Sequence, residues 1–104
     1  MSKRIIKGER IKAIIHDIAQ DFRFSNETGD YALLFYNADI QGVVKGAQIN
    51  KMIEYLTTGL KEIQDNMQWR REFLSDNPQI DEVRMIENLG IIAKEYQELL
   101  EFLA

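Results

Sequence analysis

From Ala47 to Phe73, the apolar residues Ile49, Met52, Ile53, Leu56, Leu60, Ile63 and Met67 recur at steps of mostly three and four residues. That spacing predicts one long amphipathic helix with a single stripe facing a core. Lys51, Glu54, Thr58, Lys61 and Asp65 fall on the other side, a mixed-charge face that reads as a solvated surface. Gly59 lies in the middle of this helix, where glycine costs about 1 kcal/mol relative to alanine. A close crossing by another helix would offset that cost, because a missing side chain lets a neighbour approach.

The same spacing predicts a helix over Glu9–Phe22, with Ile11, Ile14, Ile15, Ile18 and Phe22 as its apolar stripe and Gly8 at its start. Ile5 and Ile6 fit either a short strand or an apolar lead-in. Ser25 to Asp30 is a run of turn formers. Tyr31–Tyr36 is short, aromatic and apolar on both faces, which predicts a strand. A turn at Asn37-Ala38-Asp39 would return the chain as a second strand over Ile40–Val44, with Gly42 as a bulge or a close backbone approach, making a β-hairpin.

Asn77-Pro78 predicts the end of the long helix. From Gln79 onward Ile80, Val83, Ile86, Leu89, Ala93, Tyr96, Leu100 and Leu103 repeat in a near-heptad pattern, which predicts a second long helix folded back on the first. In that register Gly59 lies opposite Ala93, one turn from Gly90. The expected fold is α+β and predominantly helical: an N-terminal helix, one β-hairpin and a long antiparallel helical pair, forming a single domain over residues 1–104. A lone two-stranded hairpin is marginal in water, so a homodimer or higher oligomer is expected, built through the hairpin or the C-terminal helices.

The chain has no cysteine, which removes disulfides and thiolate chemistry and suits a reducing compartment. The start, Met1 to Lys7, has no signal-peptide core, and no apolar run is long enough to span a bilayer; a cytoplasmic protein is expected. The net charge of −4 is unevenly spread. Residues 1–24 carry six cations against three carboxylates, a balance of +3 that leaves −7 for the remaining 80. The basic segment could reach a phosphate backbone, but an acidic chain is repelled by nucleic acid. Neutralising the chain's own acidic C-terminal helix, or a neighbouring subunit's, is the favoured reading.

Catalytic chemistry finds little support. His16 is the only histidine, and without cysteine a metal site lacks compatible ligands; His16 reads as a solvent-face residue. Ser2, Ser25 and Ser75 lie in terminal or loop contexts with no neighbouring base. No catalytic residue, metal or cofactor is assigned, and the chain is expected not to be an enzyme. Lys45-Gly46 combines a cation, a glycine turn and a helix N-terminus, the ingredients of an anion site, with Arg4 and Arg10 as further cations. A nucleotide is its candidate ligand. Trp69, Arg70, Arg71 and Phe73 mix aromatics and arginines as protein-contact hot spots do. Trp69 lies about half a turn out of phase with the stripe, at the edge of the core.

YALLFYN (Tyr31–Asn37) and QGVVKGAQINKMIEYLTTGLKEI (Gln41–Ile63) together resemble the strand, strand, glycine-turn, helix unit of small accessory proteins encoded by bacteriophages and prophages. The resemblance covers about a third of the chain and carries no functional residue across. It implies a viral protein that acts by binding, as an oligomer, to modulate or inhibit a host factor, including a defence system. The leading expectation is thus a non-enzymatic binding protein with a protein target. Sequestration of a phosphate-bearing ligand ranks second and DNA binding third, since no basic recognition helix can be placed.

Overall fold

The computed structural model describes residues 3–76 and 80–104. The turn expected at Asn77–Pro78 lies outside them, as do Met1, Ser2, Gln79 and the side chains of residues 74–76 and 80. Four helices dominate: α1 (Glu9–Phe24), α2 (Asp30–Gln41), α3 (Gly46–Asp76) and α4 (Ile80–Leu103). Two short strands, β1 (Arg4–Ile5) and β2 (Val43–Val44), pair antiparallel with Arg4 opposite Val44. No described helix is long and apolar enough to cross a membrane.

The helix expected over Glu9–Phe22 is α1, entered through Gly8 at φ 84°. Ile14, Ile15 and Ile18 of its stripe are buried, together with Ala19. The expected β-hairpin is absent. Tyr31–Tyr36 and Asn37–Ile40 instead belong to α2, in which Ala32, Leu34, Phe35 and Ala38 are buried. Alanine and leucine favour helix over strand, Asp30 provides an acidic first turn, and Gly42, left-handed at φ 70°, closes the C-terminus. Gly42 is thus a helix cap, not a bulge. An apolar run of six has no period that separates a strand from a buried helix; the Gly42 cap fits the helix, and the pairing of Val43–Val44 with β1 leaves no strand partner for this run. Val43–Val44, deprived of that partner, pairs with β1, which settles Ile5 as strand. The unit on which the phage-protein resemblance rests is therefore a helix, a two-residue strand and a helix.

The core joins Ile14, Ile15, Ile18, Phe35, Met52, Leu56, Leu99 and Leu103, with Ile6 and Val44 at one end. Aromatic rings line one side of it. Tyr55 is their hub, with its ring centroid 5.5 Å from that of Phe22, 5.3 Å from those of Phe35 and Tyr31, and 6.4 Å from that of Tyr96. Arg10 reaches Glu98 on α4 at 2.7 Å, so part of the basic N-terminal segment does neutralise the acidic C-terminal helix.

The register between α3 and α4 follows from three contacts in opposite chain order. Gly59 meets Tyr96, Met67 meets Gly90, and Arg70 meets Glu82. Gly59 is thus not opposed by small residues. The ring of Tyr96 occupies the space that its missing side chain leaves, and Gly90 makes room for the Met67 methyl. Of the α3 stripe, Met52 and Leu56 are fully buried, while Leu60, Ile63 and Met67 are only half-buried. The reason is length: α3 at 31 residues runs about 46 Å, whereas α1 and α2 are 16 and 12 residues long and cover only one end. The molecule measures 51 × 28 × 24 Å, and beyond Ile63 and Ile92 the two long helices project as an arm.

Candidate functional site

Three regions of the surface bring chemistry together, and the arm is the first. Trp69 is 62% exposed and Phe73 42%. One turn apart on α3, their rings stack with centroids 6.1 Å apart and planes 15° from parallel. The Trp–Phe pair leaves much of its surface in solvent and offers a rigid apolar plane. Of the four residues expected at a partner contact, these two stand side by side. Arg70 is committed internally: its Nη1 donates to Glu82 Oε2 at 2.6 Å and its Nε to Asn66 Oδ1 at 2.7 Å. It fastens α3 to α4. Arg71, two residues from Trp69 and so on nearly the opposite side of the helix, borders a shallow groove with Met67, Gly90 and Lys94.

The second region is the turn before α3. Lys45 is exposed and immediately precedes the helix N-terminus, and its carbonyl accepts the Gln48 N–H at 2.8 Å. The β1–β2 pairing brings Arg4 beside this turn. The Arg4 guanidinium donates to the Ala104 carbonyl at 3.3 Å. Arg10 is held by Glu98, a bond that also raises its pKa. Lys45, Gly46 and Arg4 are therefore neighbours, and Arg10 is spoken for.

The third region was not visible in the sequence. A groove of about 510 Å³ lies between the start of α1 and the end of α2, lined by Ile6, Glu9, Lys12, His16, Asp39 and Ile40 among others. His16 Nδ1 lies 3.2 Å from both carboxylate oxygens of Asp39. Arg23 Nη1 donates to Asp39 Oδ2 at 3.1 Å and to Gln20 Oε1 at 2.7 Å, and the guanidinium stands over the Tyr36 ring at 5.0 Å. His16 and Arg23, two turns apart on α1, thus grip one carboxylate from α2. His16 is about half exposed, as its solvent-face position predicts, but it has a partner. Asp39 could be found only by reading residues 30–41 as a helix; as a hairpin turn it pointed nowhere.

This dyad orients a histidine, yet the groove offers it no serine, threonine or cysteine to activate. The same carboxylate is also held by Arg23, an ion-pair arrangement. Among the described residues no group of three His, Asp or Glu could hold a metal ion. Elsewhere Tyr55 and Tyr96 pack ring against ring at 6.4 Å, and burial pushes both phenols up, so both stay protonated at neutral pH. Compared with protein families, curated proteins and solved structures, the chain matches none.

Proposed function

We propose that the protein is a non-enzymatic binding protein whose target is another protein, held by the Trp69–Phe73 face of the arm. In this reading α3 and α4 form an antiparallel helical arm. The helical body anchors one end, and the projecting end presents the contact. The observation that carries it is the stacked pair of large, exposed aromatics near the C-terminal end of α3. Tryptophan is the residue most enriched at binding hot spots, and its truncation there costs about 2 kcal/mol or more. The protein would act by occupying a partner's surface, as an inhibitor or modulator. An anti-defence role rests only on the resemblance of Tyr31–Asn37 and Gln41–Ile63.

Capture of a nucleotide at Lys45–Gly46 has less behind it, because Arg10 is engaged with Glu98 and Arg4 with a backbone carbonyl. The two readings separate in one experiment. A photo-crosslinking residue placed at Phe73 should trap a partner in cells, and Trp69→Ala should abolish the capture while Lys45→Ala leaves it intact. The reverse pattern, together with a nucleotide-dependent rise in melting temperature, would replace protein binding with ligand binding.

A further inference from the structure

We propose that α4 closes on α4 of a second copy of this chain, running antiparallel, along the side that carries Arg84, Ile91, Ile92 and Glu95. Where α1 covers α4, the helix is buried: Leu99 is 0% exposed and Leu103 2%. Toward the arm α1 stops, and the apolar surface continues uncovered, with Ile91 58% exposed and Ile92 38%.

At the boundary between covered and uncovered helix lies an acidic groove of about 220 Å³. Asp17 and Asp21 of α1 and Glu95 of α4 line it, over Ile18, Ile92 and Tyr96. Among the described residues none of these three carboxylates has an ion-pair partner. Arg10, whose charge reaches Glu95, is bonded to Glu98. Burial, with Asp17 and Asp21 adding to it, holds the Glu95 carboxyl above its ordinary range. Three clustered carboxylates beside an exposed isoleucine suit a cation that arrives on an apolar surface.

The chain itself carries that cation at a matching distance. Arg84 is exposed and forms no ion pair among the described residues. It precedes Glu95 by eleven residues, which is three turns, so both side chains leave the same side of α4 about 16 Å apart. A two-fold axis crossing α4 between Leu89 and Gly90 therefore brings each Arg84 to Glu95, Asp17 and Asp21 of the other copy, at both ends at once. Ile91 and Ile92 of both copies fall beside the axis. The contact is self-complementary, as a two-fold interface must be, with Ile91 and Ile92 set among Glu87 and Asn88 at its centre and the charged pairs at its two ends. An unrelated partner would have to supply a cation for this groove and an anionic site for Arg84 at the matching spacing; a second copy does so by symmetry. The inference does not rest on the Trp69–Phe73 reading. Those residues stand on α3, and a dimer through α4 would carry two such faces.

Sedimentation velocity of the full chain, up to about 100 μM so that even a micromolar dimer is populated, tests this. The expected result is a dimer that Arg84→Glu weakens at least about tenfold, the scale of losing close interfacial charge pairs. The double swap Arg84→Glu/Glu95→Arg should recover part of it, because Asp17 and Asp21 keep their charges, and Ile92→Asp should abolish it. Circular dichroism of each variant separates lost association from lost folding, and Arg84, being exposed, can be changed without touching the core. A wild-type monomer at the top concentration would overturn the proposal. So would a dimer indifferent to Arg84→Glu, or one for which the double swap recovers nothing relative to Arg84→Glu alone.

Discussion

Gly59 and Gly90 both sit inside long helices, yet alanine should have opposite effects at the two. Relieving a mid-helix glycine is worth about 1 kcal/mol by propensity and by the lost freedom of the unfolded chain. At Gly90 that gain is available, because a Cβ would lie 3.6 Å from the Met67 methyl, an ordinary contact with an adaptable side chain. Gly90→Ala should therefore stabilise the fold by about 0.5–1 kcal/mol. At Gly59 the Cβ would lie 2.9 Å from Tyr96 Cε2, inside the normal carbon–carbon separation of about 3.5–4.0 Å. The Tyr96 ring cannot simply withdraw, since it is half-buried and packs on Tyr55. Overpacking of this kind costs about 1–3 kcal/mol. Set against the propensity gain, Gly59→Ala should come out about 0–2 kcal/mol less stable than wild type. Urea unfolding followed by circular dichroism, with all variants at one low protein concentration, measures the difference. Tyr96→Leu should convert Gly59→Ala from harmful to helpful, and the resulting double-mutant cycle gives the coupling directly. If Gly59→Ala stabilises as much as Gly90→Ala does, the α3–α4 register is wrong.

Leu99→Ala should cost about 2–4 kcal/mol, because the side chain is fully buried and its removal leaves a cavity; Ile91→Ala at the same low concentration should cost little. Asp39→Asn removes the charge held by His16 and Arg23, and a loss of about 1 kcal/mol is expected by thermal or chemical unfolding. Glu95 supplies a pH dependence. Its folded-state pKa is raised, so the native state holds the proton more tightly than the unfolded chain does. That contribution is fully present below the ordinary glutamate value, about pH 4.3, and is lost as the pH rises through the raised folded value. Glu95→Gln should therefore melt higher than wild type at pH 7, with the gap closing on acidification. A gap that is constant with pH would refute the assignment of the shift to this carboxyl.

The hydrophobic period was sufficient to place three of the four helices. Over Glu9–Phe24, Gly46–Asp76 and Ile80–Leu103 the pattern is long enough for a helical repeat to be unambiguous, and caps or breakers mark the ends. It also identified Trp69 as out of phase and therefore exposed. Tyr31–Ile40 was beyond its reach, since a short run that is apolar all round satisfies a strand and a helix equally. The tertiary structure chose by giving Val43–Val44 a partner at Arg4–Ile5, from the other end of the first half of the chain. Everything that depends on two elements meeting waited for that choice. The His16–Asp39–Arg23 cluster needs α2 to be a helix lying against α1, and the acidic groove needs Asp17 and Asp21 to face Glu95 across some seventy residues of chain. Leu99, absent from the expected stripe, is fully buried because α4 packs against α1 as well as α3. A one-dimensional period reports which side of a helix is apolar; only packing decides which neighbour covers it, and where the cover ends.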